Sequence, residues 1–225
     1  MDEVFSKKHL SYFYGKVWLF LIPYLVLLAA CLTIKFIYTR EQIYFFINGL
    51  HTSWGDVVFP FFTMLGDGLT CIALGLIIAL FSYRRSFLLL TAYGATALVA
   101  QLLKAIFEMP RPYLYFQNQH AKMYLVKGVA MLSNHSFPSG HTVTAFSACI
   151  TITYLYKSKY WAIPMLLLAL CIGYSRMYLS EHFFEDVTAG SAVGVFVTLF
   201  WLYWLDNRRF IHTGKWRGGL LRKVS

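Results

Sequence analysis

The chain has 225 residues, of which 58% are apolar and 13% charged, and its formal net charge is +10. Soluble domains average about 45–50% apolar and about 25% charged residues, so this balance excludes an ordinary soluble domain and makes lipid the solvent for much of the surface. The excess of Lys and Arg lies in short connections and towards the C-terminus, not on a basic face interleaved with aromatics, which argues against nucleic-acid binding and for contact with anionic lipid.

A helix needs about 20 apolar residues to cross a bilayer. Six segments approach that length: 17–38, 66–81, 87–107, 139–156, 161–178 and 186–205. Apolar residues surround most of them, as burial in lipid requires, and Gly94, Ala95 and Ala97 would allow close helix contact. Within the first, Leu28-Ala29-Ala30-Cys31 resembles a lipoprotein cleavage site. Residues 32–38 stay apolar where a processed lipoprotein turns polar, which favours a plain transmembrane helix.

Between the first two spans, runs 43–47 and 57–65 are too short to cross and are interrupted by Gly49, Gly55 and Pro60, so interfacial helices are predicted there. Trp18, Tyr38, Trp54, Tyr83, Trp161, Trp201 and Trp204 gather near span ends like an aromatic belt. Cys31, Cys71, Cys149 and Cys171 fall in apolar runs without CxxC spacing and read as small buried hydrophobes. With no linker or repeat, the expectation is an all-α, polytopic membrane protein. It would have six transmembrane helices and short interfacial helices in one domain over 1–225, ending in a basic cytoplasmic tail at 207–225.

An even number of spans places both termini on one side. Thirteen of the 20 Lys and Arg then share that side, and the positive-inside rule makes it the cytoplasm. The remaining cations include Lys104, Arg111 and Arg176, all near span ends on the opposite face, where charge is costly and tends to be functional.

Lys104 and Arg111 are separated by about two helical turns, so both can face one way before Pro110 and Pro112 break the helix. Taken alone they also read as cations snorkelling at an interface. Pro138-Ser139-Gly140-His141 opens the fourth span, where free N–H groups and the helix dipole favour an anion and Gly140 permits close backbone approach. Further on, His182 and Asp186 share a face if the segment is helical, so the carboxylate can hold one ring nitrogen and free the other to attack. Glu181 and Glu185 flank the pair, and nearby carboxylates would favour protonated His182. A metal site built from Glu181, His182, Glu185 and Asp186 is the competing reading. Consecutive residues do not share a helical face, however, and the neighbouring cations would repel a metal.

The three segments, at 104–112, 138–141 and 175–186, resemble the signature of the type 2 phosphatidic acid phosphatase superfamily, which also includes vanadium haloperoxidases. Lys104 with Arg111-Pro112, Pro138 to His141, and Ser175-Arg176 with His182 and Asp186 match it in spacing and order. The resemblance implies His182 as a nucleophile that becomes phosphohistidine, Asp186 as its activating partner and His141 as proton donor to the leaving oxygen. It assigns the phosphoryl oxygens to Lys104, Arg111, Ser139, Gly140 and Arg176, with no metal and no cofactor. The implied protein is an integral enzyme of the cell (inner) membrane with its active site on the periplasmic or extracellular side. It would hydrolyse a lipid phosphate or diphosphate such as undecaprenyl diphosphate, phosphatidylglycerol phosphate, phosphatidic acid or lipid A. A lipid phosphotransferase using the same intermediate, an anion transporter and an inactive lipid-binding relative are the alternatives. The 113–137 loop is long enough to be functional. Its Tyr113, Tyr115, Phe116 and Tyr124 either guide a headgroup or anchor the loop, and His120 and His135 read as solvated.

Overall fold

The computed structural model describes residues 2–156, 159–216 and 218–221, and every regular element among them is helical. The helices are α1 (Asp2–Ile37), α2 (Arg40–Asn48), α3 (Gly55–Leu65), α4 (Gly68–Ala79), α5 (Tyr83–Phe107), the short α6 (Pro112–Tyr115), α7 (Gly140–Leu155), α8 (Ala162–Tyr178) and α9 (Phe184–Asp206). The last five runs predicted as spans each coincide with a helix of nearly the same limits, whereas α1 begins at Asp2, 15 residues before the predicted 17–38 span. Residues 57–65 and 66–81 behave differently from the expectation of one interfacial helix followed by one span: they form α3 and α4, bent by 56° at Gly66-Asp67.

Among the described residues, three helical stretches are long and apolar enough to cross a membrane: Ser11–Ile37, Tyr83–Tyr115 and Phe184–Asp206. The bent α3–α4 pair makes a fourth if it acts as one span. With 16 and 17 residues, α7 and α8 are shorter than a typical crossing. α7 is the central helix, wrapped by α1, α4, α5, α8 and α9.

Phe146, Cys149, Ile150 and Tyr154 of α7 pack with Val17, Phe20 and Tyr24 of α1, Leu88 and Ala92 of α5, and Val195 and Leu202 of α9. Fully burying side chains of this size stabilises by about 1.5–3 kcal/mol each in water. In lipid, close van der Waals packing carries more of that load. The outer faces of α1, α5 and α9 carry exposed Val26, Phe36, Leu98, Leu102, Phe196 and Phe200, an apolar exterior suited to acyl chains.

Small residues set the distance between α9 and the start of α7. A Cβ on Gly190 would lie 2.8 Å from the Ser139 carbonyl oxygen and 3.2 Å from Thr142 Cβ, and one on Gly194 2.7 Å from the Val143 carbonyl. Gly190→Ala is expected to cost about 1–3 kcal/mol by overpacking and to displace the Ser139–His141 turn. A lowered thermal midpoint in detergent together with reduced turnover would confirm this; an unchanged midpoint would refute it.

The C-terminal segment is more ordered than a loose basic tail. Residues 209–216 form two short 3-10 turns, and Phe210 and Trp216 pack on Phe87. Tyr83 N–H donates to the Gly218 carbonyl, and Leu220 and Leu221 N–H groups donate to Ala79 and Leu80, so the segment docks on the α4–α5 turn. Arg217 and residues 222–225 of the predicted tail lie outside the described residues.

Candidate active site

Four helix ends meet at one end of the bundle: the C-termini of α5 and α8 and the N-termini of α7 and α9. These ends and the turns beside them carry all eight residues singled out from the sequence. Lys104 occupies the last turn of α5. Glu108 ends that helix in the left-handed region, at φ 41°, and its N–H bonds the Lys104 carbonyl at 3.1 Å. Arg111 is therefore extended backbone beyond the helix and does not share a helical face with Lys104 as the spacing predicted. Backbone pairing returns it to the site: Arg111 N–H donates to the Ser133 carbonyl at 2.8 Å and Ser136 N–H to the Met109 carbonyl at 2.9 Å.

His182 also differs from the helical expectation. After α8, Ser180 adopts φ 57° and the chain turns, with the N–H groups of Glu181 and His182 both donating to the Arg176 carbonyl. A left-handed non-glycine residue costs roughly 1–3 kcal/mol and needs support from its surroundings. Tyr44 of α2 donates to Ser180 Oγ at 2.9 Å, and Asn48 donates to it at 3.2 Å. α2 thus braces the turn that presents His182.

Asp186, in the first turn of α9, accepts from the Phe183 N–H at 2.8 Å and from Ser136 Oγ at 2.5 Å through Oδ2. The same oxygen is 3.6 Å from His182 Nδ1, and Ser136 Oγ is 3.4 Å from that nitrogen. Nδ1 therefore faces the carboxylate and Nε2 is the free nitrogen. The pair sits at a helix N-terminus, not along a helix face, and it is nearly sealed: His182 is 1% and Asp186 2% exposed.

Glu181 lies between the two arginines. Arg111 bonds its carboxylate through Nη1 and also donates through Nε to the Asn134 carbonyl at 3.0 Å. Arg176 bonds Thr63 through Nη1 and places Nη2 3.3 Å from Glu181 Oε2. Its buried Nε has no hydrogen-bond partner among the described residues. Glu185 is occupied elsewhere, by Arg40 and by Lys35 at 3.6 Å. With both glutamates committed to cations, they do not protonate His182 as their sequence positions suggested. Burial, followed by the charges of Arg176, Arg111 and Lys104, holds the His182 imidazole well below its ordinary value near 6.5.

Ser139 is the N-cap of α7, but its hydroxyl does not cap the helix. It accepts from Thr142 at 2.9 Å, which leaves its own proton to donate, while its N–H is used on the Asp186 carbonyl. Lys104, Gly140 and His141 line a polar cavity of about 160 Å³, with Gly66 and Gly68 on the opposing wall. Lys104 Nζ is 3.7 Å from where a Cβ on Gly140 would stand. A larger cleft of about 490 Å³, between the ends of α1 and α2 and Phe184, is lined by apolar and uncharged polar side chains and carries none of this chemistry.

Several contributors were not found from the sequence. Ser136, Asn134, Thr63, Asp67 and Arg40 come from loops or from the segment between the first two spans. Of these, only Asp67, an acid between two glycines in an apolar stretch, carried a readable signal. Within the 113–137 loop, Phe116 is buried against Tyr44 and Phe183, Tyr115 bonds Glu41 at 2.6 Å, and Tyr113 stacks on His120.

The sequence profile of the PAP2 superfamily matches residues 85–210, a stretch that holds all three motifs. The chain belongs to the PAP2 superfamily. Phosphatidylglycerophosphatase B of Bacillus subtilis is 29% identical over 156 residues, covering 63% of this chain and 71% of that protein. Lipid A 4'-phosphatase of Bacteroides thetaiotaomicron is 25% identical over 162 residues, covering 69% and 72%. Two further relatives are matched over only 38% and 17% of their own length. Among solved structures, the first transmembrane PAP2 type phosphatidylglycerolphosphate phosphatase from Bacillus subtilis superposes with a TM-score of 0.61 at 27% identity, over 88% of this chain and 99% of that one. The PAP2 assignment and this superposition agree with an all-helical membrane protein.

Proposed function

We propose that this PAP2 protein is an integral membrane hydrolase that removes phosphate from a lipid phosphate or diphosphate through a phosphohistidine on His182. The observation that carries the reading is the convergence of a sealed His182–Asp186 pair with Lys104, Arg111 and Arg176 at the N-terminus of α7. Phosphoryl transfer depends mainly on positioning and charge stabilisation. Three cations, the N–H groups of a helix N-terminus and the unpartnered Arg176 Nε–H supply both.

In this mechanism His182 Nε2 attacks phosphorus while Asp186 and Ser136 hold Nδ1. Lys104, Arg111, Arg176, Ser139 and the Gly140 N–H take the phosphoryl oxygens. His141 protonates the departing oxygen and then accepts a proton from the water that cleaves the phosphorus–nitrogen bond. The six-span reading, with both termini in the cytoplasm and the site at the outer surface of the cell membrane, is supported by the positive-inside distribution and by the gathering of the site at one end of the bundle.

The test is phosphate release by purified protein in detergent from undecaprenyl diphosphate, phosphatidylglycerol phosphate, phosphatidic acid and lipid A. Release from one lipid supports the reading and identifies the substrate. Release that appears only when an acceptor lipid is added would replace hydrolysis with phosphotransfer. Orthovanadate, which adopts the five-coordinate geometry of the transition state, is expected to inhibit, and EDTA to have no effect. Loss of activity in EDTA with recovery on adding a divalent metal would overturn the metal-free mechanism.

A further inference from the structure

The Gly66-Asp67-Gly68 turn, where α3 bends into α4, lies outside the three motifs yet forms a wall of the cavity that holds His141. Its position is fixed by close packing on both sides of Asp67. A Cβ on Gly66 would stand 2.6 Å from Ile172 Cγ2 and 3.0 Å from the His141 carbonyl oxygen, and one on Gly68 2.2 Å from the Tyr93 hydroxyl. The two carboxylate oxygens of Asp67 point different ways. Oδ1 accepts the Leu69 N–H at 2.7 Å and caps α4, while Oδ2 lies 3.7 Å from His141 Nε2.

We infer that Asp67 is a positioning residue for His141, holding one ring nitrogen so that the other delivers the proton to the leaving oxygen; the inference rests on the reading of His141 as proton donor. The geometry places a carboxylate beside the ring, and the surrounding charges favour it. A proton donor here must carry its charge against burial and beside Arg176, Arg111 and Lys104, and Asp67 is the carboxylate that opposes them. A separation of 3.7 Å is long for a hydrogen bond, but contacts of this kind tighten when substrate closes the site. During transfer the bond from phosphorus to the leaving oxygen breaks as the His182 Nε2–phosphorus bond forms. The leaving oxygen keeps the electron pair and takes the His141 proton, and the neutral ring retains its other N–H towards Asp67. The site would thus contain two histidine–carboxylate pairs, His182 with Asp186 for attack and His141 with Asp67 for departure.

The decisive readout is dependence on the leaving group, which a purely structural role would not change. Asn caps a helix as well as Asp, so Asp67→Asn keeps the start of α4. The variant is compared with wild type on the lipid phosphate found to be active and on 4-nitrophenyl phosphate, whose leaving group departs without a proton. In single-turnover release of the leaving group, which precedes the water step that also uses His141, Asp67→Asn is expected to be slower on the lipid by about 10–10²-fold, part of the 10²–10⁴ that a positioned proton donor contributes, and to change release of 4-nitrophenol by less than about threefold. His141→Gln should show the same pattern more steeply in this first half-reaction and should also slow hydrolysis of the phosphoenzyme from either substrate, and the double variant should release the leaving group no more slowly than His141→Gln alone. Equal losses on both substrates, or additive losses in the double variant, would overturn the assignment. If wild type released no phosphate from any lipid or from 4-nitrophenyl phosphate, the hydrolase reading itself would fail, a result distinct from failure of the Asp67 role.

Discussion

His182→Ala is expected to reduce phosphate release by at least about 10⁴-fold, the scale seen when a covalent nucleophile is removed. The protein should remain a monodisperse helical particle, because the ring's contacts to Ser136 Oγ, at 3.4 Å, and Asp186 Oδ2, at 3.6 Å, are long and hold no helix together. Labelled phosphate from substrate should attach to wild type in alkali-stable, acid-labile form and be absent from the variant. Turnover near wild type in His182→Ala would eliminate the nucleophile assignment whatever the substrate. The electrostatics add a pH expectation. Because burial and three cations hold His182 below its ordinary value, Nε2 keeps its lone pair through neutral pH, and protonation disables attack only well below 6.5. The sign for stability follows from the same shift. Below about 6.5 the unfolded imidazole binds a proton that the folded one refuses, so this residue's contribution is present above that pH and declines as pH falls. A rate that already declines on acidification through 7, with the decline traced to His182, would contradict the buried, cation-flanked geometry.

The sequence carried the helices and the motif residues, and the reasons are local. Continuous apolar runs specify α1, α5 and α9 without reference to the rest of the fold. The Lys104–Arg111, Pro138–His141 and Ser175–Asp186 spacings name the chemistry because each motif sits where an apolar run begins or ends. Contacts between distant segments were not legible. The periodicity that predicted Lys104 and Arg111 on one helix face cannot register the left-handed turn at Glu108. The i, i+4 relation of His182 and Asp186 survives as proximity, although α9 starts only after His182. The glutamates beside His182 looked like a local electrostatic disturbance. Their partners, Arg111 and Arg176 for Glu181 and Arg40 and Lys35 for Glu185, lie up to 150 residues away, and burial together with Arg176, Arg111 and Lys104 reverses the expected effect on the imidazole. Likewise Asp67 and Thr63 reach the site only because the predicted boundary between an interfacial helix and a span is a sharp bend against α7 and α8.

Arg176→Ala should lower turnover by about 10²–10³-fold, the usual loss when one donor to a developing oxyanion is removed, and Arg176→Lys should recover little of it. The guanidinium engages Thr63 and Glu181 at once and still has a free Nε–H, a three-way arrangement that one ammonium group on a flexible stem does not reproduce. The variant also exposes the role of Glu181. This carboxylate sits between the two guanidinium groups with only 5% of its surface exposed, so in the empty site it provides the negative charge that a phosphoryl group would later provide. Removing one member of a buried ionic cluster costs about 3–5 kcal/mol, because the remaining charge is left uncompensated. Arg176→Ala keeps Arg111 against Glu181 and should therefore fall at the lower end of that range. Glu181→Ala leaves two buried cations facing each other and should fall at the upper end unless an anion replaces it. Orthovanadate should then raise the thermal midpoint of Glu181→Ala more than that of wild type, since the ligand supplies the missing charge in the variant and competes with Glu181 in the parent. An equal vanadate shift in the two proteins would show that Glu181 is a structural partner of the arginines outside the space the phosphoryl group takes.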